Sequence, residues 1–302
     1  MTVKAATNVK KLAESIRRVG LIANPEKPNA ARLVRRAAKI LAGLGRVVAC
    51  DPDTAGVLNG EVPAVGGMMQ LARSTDLLLV FGGDGTMLRV AREIAGLPVP
   101  LLGINAGHLG FLTAVPPARL ADSLKKIPAG RFVIEERSLL EATVIRGGQH
   151  STEIALNDFV LSRGVTSRLI EIEVWVNDEL LTRYRCDGFI ASSPTGSTAY
   201  SLAAGGAIVS PDADVLTLTP ICPHTLSIRP LVISLNSTVR VKLLSSPLLG
   251  SLSADGQGQT DLGAGDTVVI RRSQRTVRLI RLAGTSFFST LRQKFGWSGG
   301  NL

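Results

Sequence analysis

The sequence predicts an α/β domain with a parallel, Rossmann-like sheet, then a domain rich in β-strands, and a C-terminal segment that returns to the first domain. Strand-like and helix-like segments alternate over residues 1–134, which is typical of a parallel sheet covered by helices. Residues 135–283 instead contain short segments of alternating apolar residues, the pattern of antiparallel strands. Residues 284–302 are helix-like again and rich in Phe. We therefore expect three parts with these boundaries.

In the first domain, residues 30–44 have the spacing of a helix with Arg and Lys on one face. Residues 68–73 lead into the most apolar strand, and residues 120–127 form the last helix. Strands are predicted at residues 19–23, 47–50, 77–81 and 99–104. Ligands of such sheets lie beyond the carboxyl ends of the strands, so the turns after residues 81 and 104 are expected at the binding edge.

In the second domain, residues 170–176 alternate most clearly between apolar and polar side chains. The remaining strands are predicted at residues 140–145, 154–162, 180–185, 215–218, 231–235, 239–243, 267–272 and 277–282. A mostly antiparallel domain is the economical interpretation.

Composition limits the possible partners. The chain has 34 Lys and Arg against 24 Asp and Glu, a net charge of +10 that attracts nucleotides, polyphosphate or nucleic acid. Aromatic residues make up only 4% of the chain, too few for the stacking surfaces of single-strand binders, so we expect no nucleic-acid partner. The Cys and His residues are isolated, which favours neither disulfides nor zinc. The basic start lacks an apolar signal region and no segment approaches a membrane span, so we expect a cytoplasmic protein without a membrane partner.

A glycine-rich turn follows the predicted strand at residues 77–81. Gly82, Gly83 and Gly85 have no Cβ, so backbone N–H groups can approach a phosphate at the amino end of the next helix. Asp84 would repel a phosphate and is better suited to taking a proton from a hydroxyl or to facing a metal. An ordinary loop in which Asp84 hydrogen-bonds its own turn fits the same letters.

Three further segments combine polar groups that could bind a ligand. Residues 187–200 place Ser and Thr hydroxyls before a small-residue helix, which suits a ribose, a ring edge or a phosphate, or equally an ordinary helix cap. The pair Asn157-Asp158 interrupts an apolar strand, and buried polar groups need a partner that a ligand or a local turn could supply. Residues 253–257 fit a simple hairpin turn better than a site.

Together these segments resemble the NAD kinase family. The resemblance covers about residues 19–297, and its motifs occur in the family's order and spacing. They are Gly-Gly-Asp-Gly-Thr at 82–86, an Asn-Gly-Leu-Gly-Phe-Leu-like stretch at 105–112, Asn-Asp at 157–158, Arg-x-Asp-Gly at 185–188, the signature at 194–200 and Asp-Gly-Gln at 255–257. The Thr-Gly-Ser-Thr-Ala-Tyr string is the most specific, because diacylglycerol-type lipid kinases and phosphofructokinases share the glycine cluster.

The resemblance implies transfer of a phosphate from ATP, or sometimes from polyphosphate, to the 2′-hydroxyl of the adenosine ribose of NAD, with a divalent metal such as Mg²⁺ or Mn²⁺. It implies that Asp84 is the proton acceptor and that Gly82, Gly83 and Thr86 form the phosphate-donor loop; it leaves the metal ligands unidentified. The residues implied to bind NAD are Gly85, Arg89, Asn157, Asp158, Arg168, Arg185, Asp187, Thr195, Ser197, Thr198, Ala199, Tyr200, Ser201, Leu202, Ala203 and Gln257. A homodimer or homotetramer is also implied.

Several of these features have a second interpretation. For Arg89, Arg168 and Arg185, the alternative to NAD binding is a solvated surface side chain. Cys186 and Ser193 depart mildly in size from the family pattern, and the first 18 residues have no counterpart in its short members. Arg185 resembles the form found in members that prefer NAD to NADH. The alternative functions are a related lipid or sugar kinase, a nucleotide sensor without turnover, and a basic RNA-associated protein.

Overall fold

The computed structural model describes residues 13–107, 109–113, 115–164, 168–224, 227–245 and 250–297. The chain forms two compact units, one from Met1–Glu136 together with Val277–Leu302 and the other from Arg137–Thr276. The predicted α/β and β-rich classes of the two parts are both confirmed.

The strands are β1 (Arg18–Ala23), β2 (Val47–Cys50), β3 (Leu77–Gly82), β4 (Leu101–Asn105), β5 (Phe132–Arg146), β6 (Gln149–Ala155), β7 (Asp158–Ser162), β8 (Ile170–Val176), β9 (Glu179–Cys186), β10 (Gly188–Ser192), β11 (Val215–Ile221), β12 (Leu231–Ser234), β13 (Val239–Ser245), β14 (Gly250–Ala254), β15 (Gln259–Leu262) and β16 (Thr267–Leu282). The helices are α1 (Ala30–Gly43), α2 (Pro52–Val57), α3 (Met68–Ser74), α4 (Asp84–Glu93), α5 (Leu120–Lys126), α6 (Tyr200–Ala203) and α7 (Phe287–Phe295), with 3-10 turns at Pro117–Arg119 and Thr195–Thr198. No helix in the described part of the chain is long and apolar enough to cross a membrane.

The first unit is a parallel sheet in the order β2-β1-β3-β4-β16. Every residue of the central strand β3 is buried, as expected for a parallel strand covered on both faces. Helix α1 buries Leu33, Val34, Ala37 and Leu41, which lie on one face because a helix repeats every 3.6 residues. These side chains join the core formed around β1 and β3.

The C-terminal segment lies in the first unit, as predicted. In β16, Leu279 pairs with Leu101 of β4, and the N–H of Ala283 donates to the carbonyl of Arg131 at 2.9 Å. Helix α7 is capped by Ser286, whose hydroxyl accepts from the N–H of Ser289 at 3.0 Å, and the helix buries Leu291. The end of β16 therefore adds the last strand to the parallel sheet, and α7 adds a helix to the same unit.

The second unit contains antiparallel strands in two sets, β12-β11-β10-β7-β14-β15 and β16-β13-β8-β9, with β5 pairing both β6 and β16. Ile170, Ile172 and Val174 of β8 are buried while Glu171 between them is exposed, so the predicted alternation is confirmed. Apolar side chains of both sets, including Phe159 of β7, form one core.

Several predicted bounds were wrong. The segment at 154–162 is two strands, because Leu156 and Asn157 form a turn between β6 and β7. The segments at 267–272 and 277–282 form the single strand β16. Helix α2 was missed, although it has an Asp N-cap followed by Pro, a common helix start. The small-residue helix predicted at residues 198–204 is shorter, because Thr195–Thr198 form a 3-10 turn and only Tyr200–Ala203 form the helix α6.

Candidate active site

The glycine-rich turn joins the end of β3 to the start of α4. A Cβ on Gly82 would lie 2.3 Å from the hydroxyl oxygen of Thr86, so the absent side chain lets Thr86 fold back over the turn. Thr86 is 6% exposed, and its hydroxyl accepts from the side-chain Nδ2 of Asn24 at 3.5 Å. Gly83 is half-buried and Gly85 is exposed. The turn therefore presents the backbone of these two glycines, and keeps the Thr86 side chain inside.

Asp84 lies in the first turn of α4 and is fixed by a second loop of the same unit. Its Oδ2 accepts from the N–H of Phe111 at 2.7 Å, and its Oδ1 accepts from the N–H of Leu112 at 3.0 Å and from the hydroxyl of Thr113 at 3.3 Å. A carboxylate offers about four acceptor positions. Three donors therefore hold the group in one orientation and leave room for about one further hydroxyl.

Gly110 makes this arrangement possible. A Cβ at this position would lie 1.9 Å from Oδ1 of Asp84 and 2.6 Å from the hydroxyl of Thr113. The sequence singled out the stretch at 105–112 through its resemblance to a motif, but it did not reveal that this stretch receives the Asp84 carboxylate, because 27 residues separate Asp84 from Phe111.

Arg89 lies on the next turn of α4. Its guanidinium is 3.8 Å from the carboxylate of Glu93, and the two side chains are 35% and 45% exposed. Such an exposed pair contributes at most about 1 kcal/mol. Arg89 can therefore exchange this partner for an anionic ligand at little cost.

In the second unit, the turn between β6 and β7 is held by Asp255. The Asp255 carboxylate accepts from the N–H groups of Leu156, Asn157 and Asp158 at 3.0, 2.7 and 3.2 Å, and its own N–H donates to the carbonyl of Asp158 at 3.0 Å. Asp255 has a positive φ of 54°, a conformation that Asp tolerates better than most residues. The predicted hairpin turn is present, but it follows Ala254, the last residue of β14, and it has a structural role that the sequence analysis missed. The Asp-Gly-Gln triplet was the available signal.

Asp158 is 3% exposed at the start of β7. Burial, and next the negative charge of Asp255, raise the pKa of its carboxyl to about 7. Near neutral pH this group can therefore either donate or accept a hydrogen bond. Either form suits a sugar hydroxyl, which is itself both a donor and an acceptor.

The hydroxyl-rich segment packs directly on the Asn157 turn. The hydroxyl of Ser193 donates to the carbonyl of Leu156 at 2.5 Å, and the N–H of Ser193 donates to the carbonyl of Asn157 at 2.8 Å. A Cβ on Gly196 would lie 2.2 Å from that same carbonyl oxygen. The fold thus brings together two segments that the sequence identified separately.

Not every hydroxyl in this segment is available to a ligand. Ser197 donates to the carbonyl of Pro194 at 2.7 Å, and Ser201 shares a hydrogen bond of 3.0 Å with Thr219. Ser197 and Ser201 are fully buried, so they shape the turn. Thr195 is 8% exposed and accepts from the guanidinium of Arg137 at 3.4 Å, a contact that the sequence did not indicate.

The remaining predicted residues lie at different degrees of exposure. Thr198, Ala199 and Leu202 are half-buried, whereas Tyr200 and Ala203 are exposed, Tyr200 by 48%. These five residues surround the surface side of the turn and of α6.

The predicted charged and amide side chains of this unit lie on strand ends and loops. Asp187 pairs with Arg163 at 3.0 Å, and Arg185 is 3.8 Å from Glu171 with its side chain 67% exposed. Arg168 is exposed before β8, and Gln257 is half-buried in the turn that follows β14. Asp187 is thus held by a close partner, whereas Arg185 is only loosely paired.

Comparison with known proteins identifies the class of enzyme. The model described as the ATP-NAD kinase N-terminal domain matches residues 19–132, and that of the ATP-NAD kinase C-terminal domain matches residues 156–282. These ranges contain both the glycine-rich turn and the Asn157 turn. The fold and the site are therefore those of a phosphotransferase that acts on an alcohol group of a nucleotide.

Individual relatives of the chain are enzymes of this class. The chain is 43% identical over 281 residues to the NAD kinase of Symbiobacterium thermophilum, an alignment covering 91% of this chain and 97% of that protein. It is 41% identical over 284 residues to the NAD kinase of Desulforamulus reducens, covering 93% and 98%. The chain belongs to the NAD kinase family, and its activity is that of an NAD kinase. Nothing in these comparisons favours a lipid kinase, a sugar kinase or a sensor.

Two solved structures share the fold. Yeast NADH kinase, crystallised in complex with NADH, has a TM-score of 0.86 and 28% identity, covering 95% of this chain and 89% of its own. The NAD kinase of Archaeoglobus fulgidus, in complex with ATP, has a TM-score of 0.72 and covers 92% of this chain and 97% of its own. At 24% identity the second likeness supports the fold alone.

Proposed function

We propose that this enzyme transfers the γ-phosphate of ATP to the 2′-hydroxyl of the adenosine ribose of NAD, giving NADP and ADP. The observation that carries the proposal is the placement of Asp84, whose carboxylate is held by three donors at the glycine-rich turn. A general base works best when its orientation is already fixed before the substrate arrives.

In this proposal Asp84 accepts the proton of the 2′-hydroxyl while that oxygen forms a bond to the γ-phosphorus. The bond between the γ-phosphorus and the bridging oxygen breaks, and ADP leaves. A positioned general base contributes about 10²- to 10⁴-fold to such a step. In this proposal the N–H groups at the start of α4, beside Gly83 and Gly85, would hold the phosphates of the donor, because the amino end of a helix attracts anions.

We propose that a divalent ion such as Mg²⁺ or Mn²⁺ enters this site bound to the phosphates of the nucleotide. Among the residues with described positions, no three His, Cys, Asp or Glu side chains form a group that could hold a metal. Mg²⁺ in phosphoryl-transfer sites is commonly held by substrate phosphates and only one or two carboxylates. When bound, the ion neutralises charge on the transferring phosphate.

The second unit is proposed to bind NAD. Asn157 and Asp158 would hold the adenosine ribose, because the Asp158 carboxyl titrates near pH 7 and can match a hydroxyl in either role. The surface formed by residues 198–203 would receive the adenosine. Asp187 would face the nicotinamide end, with Arg185 favouring NAD over NADH.

We also propose a cytoplasmic homodimer or homotetramer that binds nucleotides and neither nucleic acid nor membrane. Apolar side chains on two edge strands support association. Leu180 and Leu181 on β9 are 44% and 37% exposed, and Leu231 and Val232 on β12 are 36% and 47% exposed. Unpaired strand edges with apolar side chains favour contact with another chain.

Substitution of Asp84 tests the proposal. Asp84→Asn retains the size of the side chain but removes its basicity, so we expect kcat for NADP formation from ATP, Mg²⁺ and NAD to fall by about 10²- to 10⁴-fold. The matched control is Asp122→Asn, since Asp122 also lies in the first turn of a helix but is exposed. Circular dichroism checks that both variants fold. A wild-type rate in Asp84→Asn would remove Asp84 from the role of base.

A further inference from the structure

Helix α7 presents aromatic side chains to the loop that receives Asp84. The ring of Phe111 lies 6.2 Å from that of Phe287 and 6.3 Å from that of Phe295, measured between centroids. The ammonium group of Lys294 lies 4.6 Å from the centroid of the Phe111 ring. We call the α7 side chains of Phe287, Lys294 and Phe295 the aromatic cap. Contacts between aromatic rings, and between a cation and a ring, are attractive at these distances.

The residue under the aromatic cap is also a donor to Asp84. The N–H of Phe111 donates to Oδ2 of Asp84 at 2.7 Å, and the next N–H, that of Leu112, donates to Oδ1 at 3.0 Å. The ring and the N–H of Phe111 belong to one residue, so fixing the ring restricts the direction of the N–H. Gly110, just before it, has no side chain that could fix the loop by packing.

Helix α7 is anchored by a cap at each end and by one buried side chain. Ser286 and Ser289 form a reciprocal cap at its start, Leu291 is buried at 4% exposure, and Gly296 ends it with a φ of 64°. The N–H of Trp297 then donates to the carbonyl of Arg292 at 3.0 Å. The aromatic cap is therefore carried by an anchored helix, although Phe295 itself is 39% exposed.

We infer that the aromatic cap positions the catalytic carboxylate. Phe287 and Phe295 pack on Phe111, Phe111 and Leu112 hold Asp84, and the C-terminal helix thereby supports phosphoryl transfer without touching the substrate. Phe287 and Phe295 are positioning residues. This inference rests on the proposed role of Asp84 as proton acceptor.

The test uses the full chain with Phe287→Ala and Phe295→Ala combined. We expect the amide hydrogens of Phe111 and Leu112, followed by NMR, to exchange about 10-fold faster, because the loop opens more often. We expect kcat to fall by about 10- to 100-fold, since a misplacement of about 1 Å can cost 10²-fold. KM for ATP should change by less than about twofold, because the contacts of the α4 start with the donor are retained.

Two further variants make the result specific. Phe288→Ala is the matched control, because Phe288 lies on the same helix, is 60% exposed and has its ring 5.7 Å from that of Phe287 in an edge-on arrangement. It should leave exchange and kcat unchanged. Replacing Phe287 and Phe295 with Leu keeps apolar bulk over Phe111 and should restore most of the rate.

The outcomes separate this inference from the proposed function. Unchanged exchange at Phe111 and Leu112 in the double Ala variant, or an unchanged kcat, would overturn the positioning role even if Asp84→Asn is inactive. Faster exchange with a lowered kcat and rescue by Leu supports it. If Asp84→Asn keeps full activity, the proposed function fails, whatever the exchange at the loop.

Discussion

Gly110 offers a sharp test of how closely the loop must fit Asp84. In Gly110→Ala the new Cβ would lie 1.9 Å from Oδ1 of Asp84, whereas an ordinary van der Waals contact begins at 3.4 Å. The carboxylate or the loop must therefore move by about 1.5 Å. A displacement of about 1 Å in a reacting group can cost 10²-fold, so we expect kcat to fall by at least about 10²-fold, equivalent to about 2.7 kcal/mol in the activation barrier.

The assay is the steady-state rate of NADP formation, with thermal unfolding measured in parallel. Gly43→Ala is the control, because a Cβ at the end of α1 would meet nothing within 4 Å. Its rate should equal that of the wild type. If folded Gly110→Ala retains a kcat within about threefold of the wild type, the close fit between the loop and Asp84 does not govern the rate.

Two predictions concern the Asn157 turn. The Asp158 carboxyl binds its proton more tightly in the folded protein, because burial raises its pKa from an ordinary 3.8 to about 7. The folded state therefore holds more protons between these values, and stability should decrease as pH rises from about 4 to 7. Urea unfolding from pH 5 to 8 should show this decrease in the wild type and not in Asp158→Asn; parallel curves would contradict it. Asp255→Ala removes the acceptor of three N–H groups and should destabilise by roughly 3–5 kcal/mol, unlike Asp261→Ala on the exposed part of the same hairpin.

Local patterns were sufficient for the elements that bury their side chains in a regular way. Strand β3 was predicted because it is continuously apolar, and β8 because it alternates. Helix α1 was predicted within one residue at its end, since its apolar residues repeat at helical spacing. In each case the neighbours that decide the structure lie within a few positions along the chain.

The details of the site depend on contacts between distant residues. The break between β6 and β7 exists because Asp255 accepts from three N–H groups 97 to 99 residues earlier. Asp84 finds its donors 27 to 29 residues later. No periodicity encodes such pairings, so the sequence identified the participating segments mainly through a family resemblance. The roles of Asp255, Gly110 and the aromatic cap depend on contacts that form only in the folded chain.

The discontinuity of the first unit has a consequence for biosynthesis. Folding during translation usually proceeds from the N-terminus, one unit after another. Here the second unit is one continuous segment and can fold once residue 276 has left the ribosome. The first unit cannot be complete until residues 277–302 have been made as well. The second unit can thus fold before the first is complete, and the strand β4, which already has β3 on one side, lacks its other neighbour until β16 has been made.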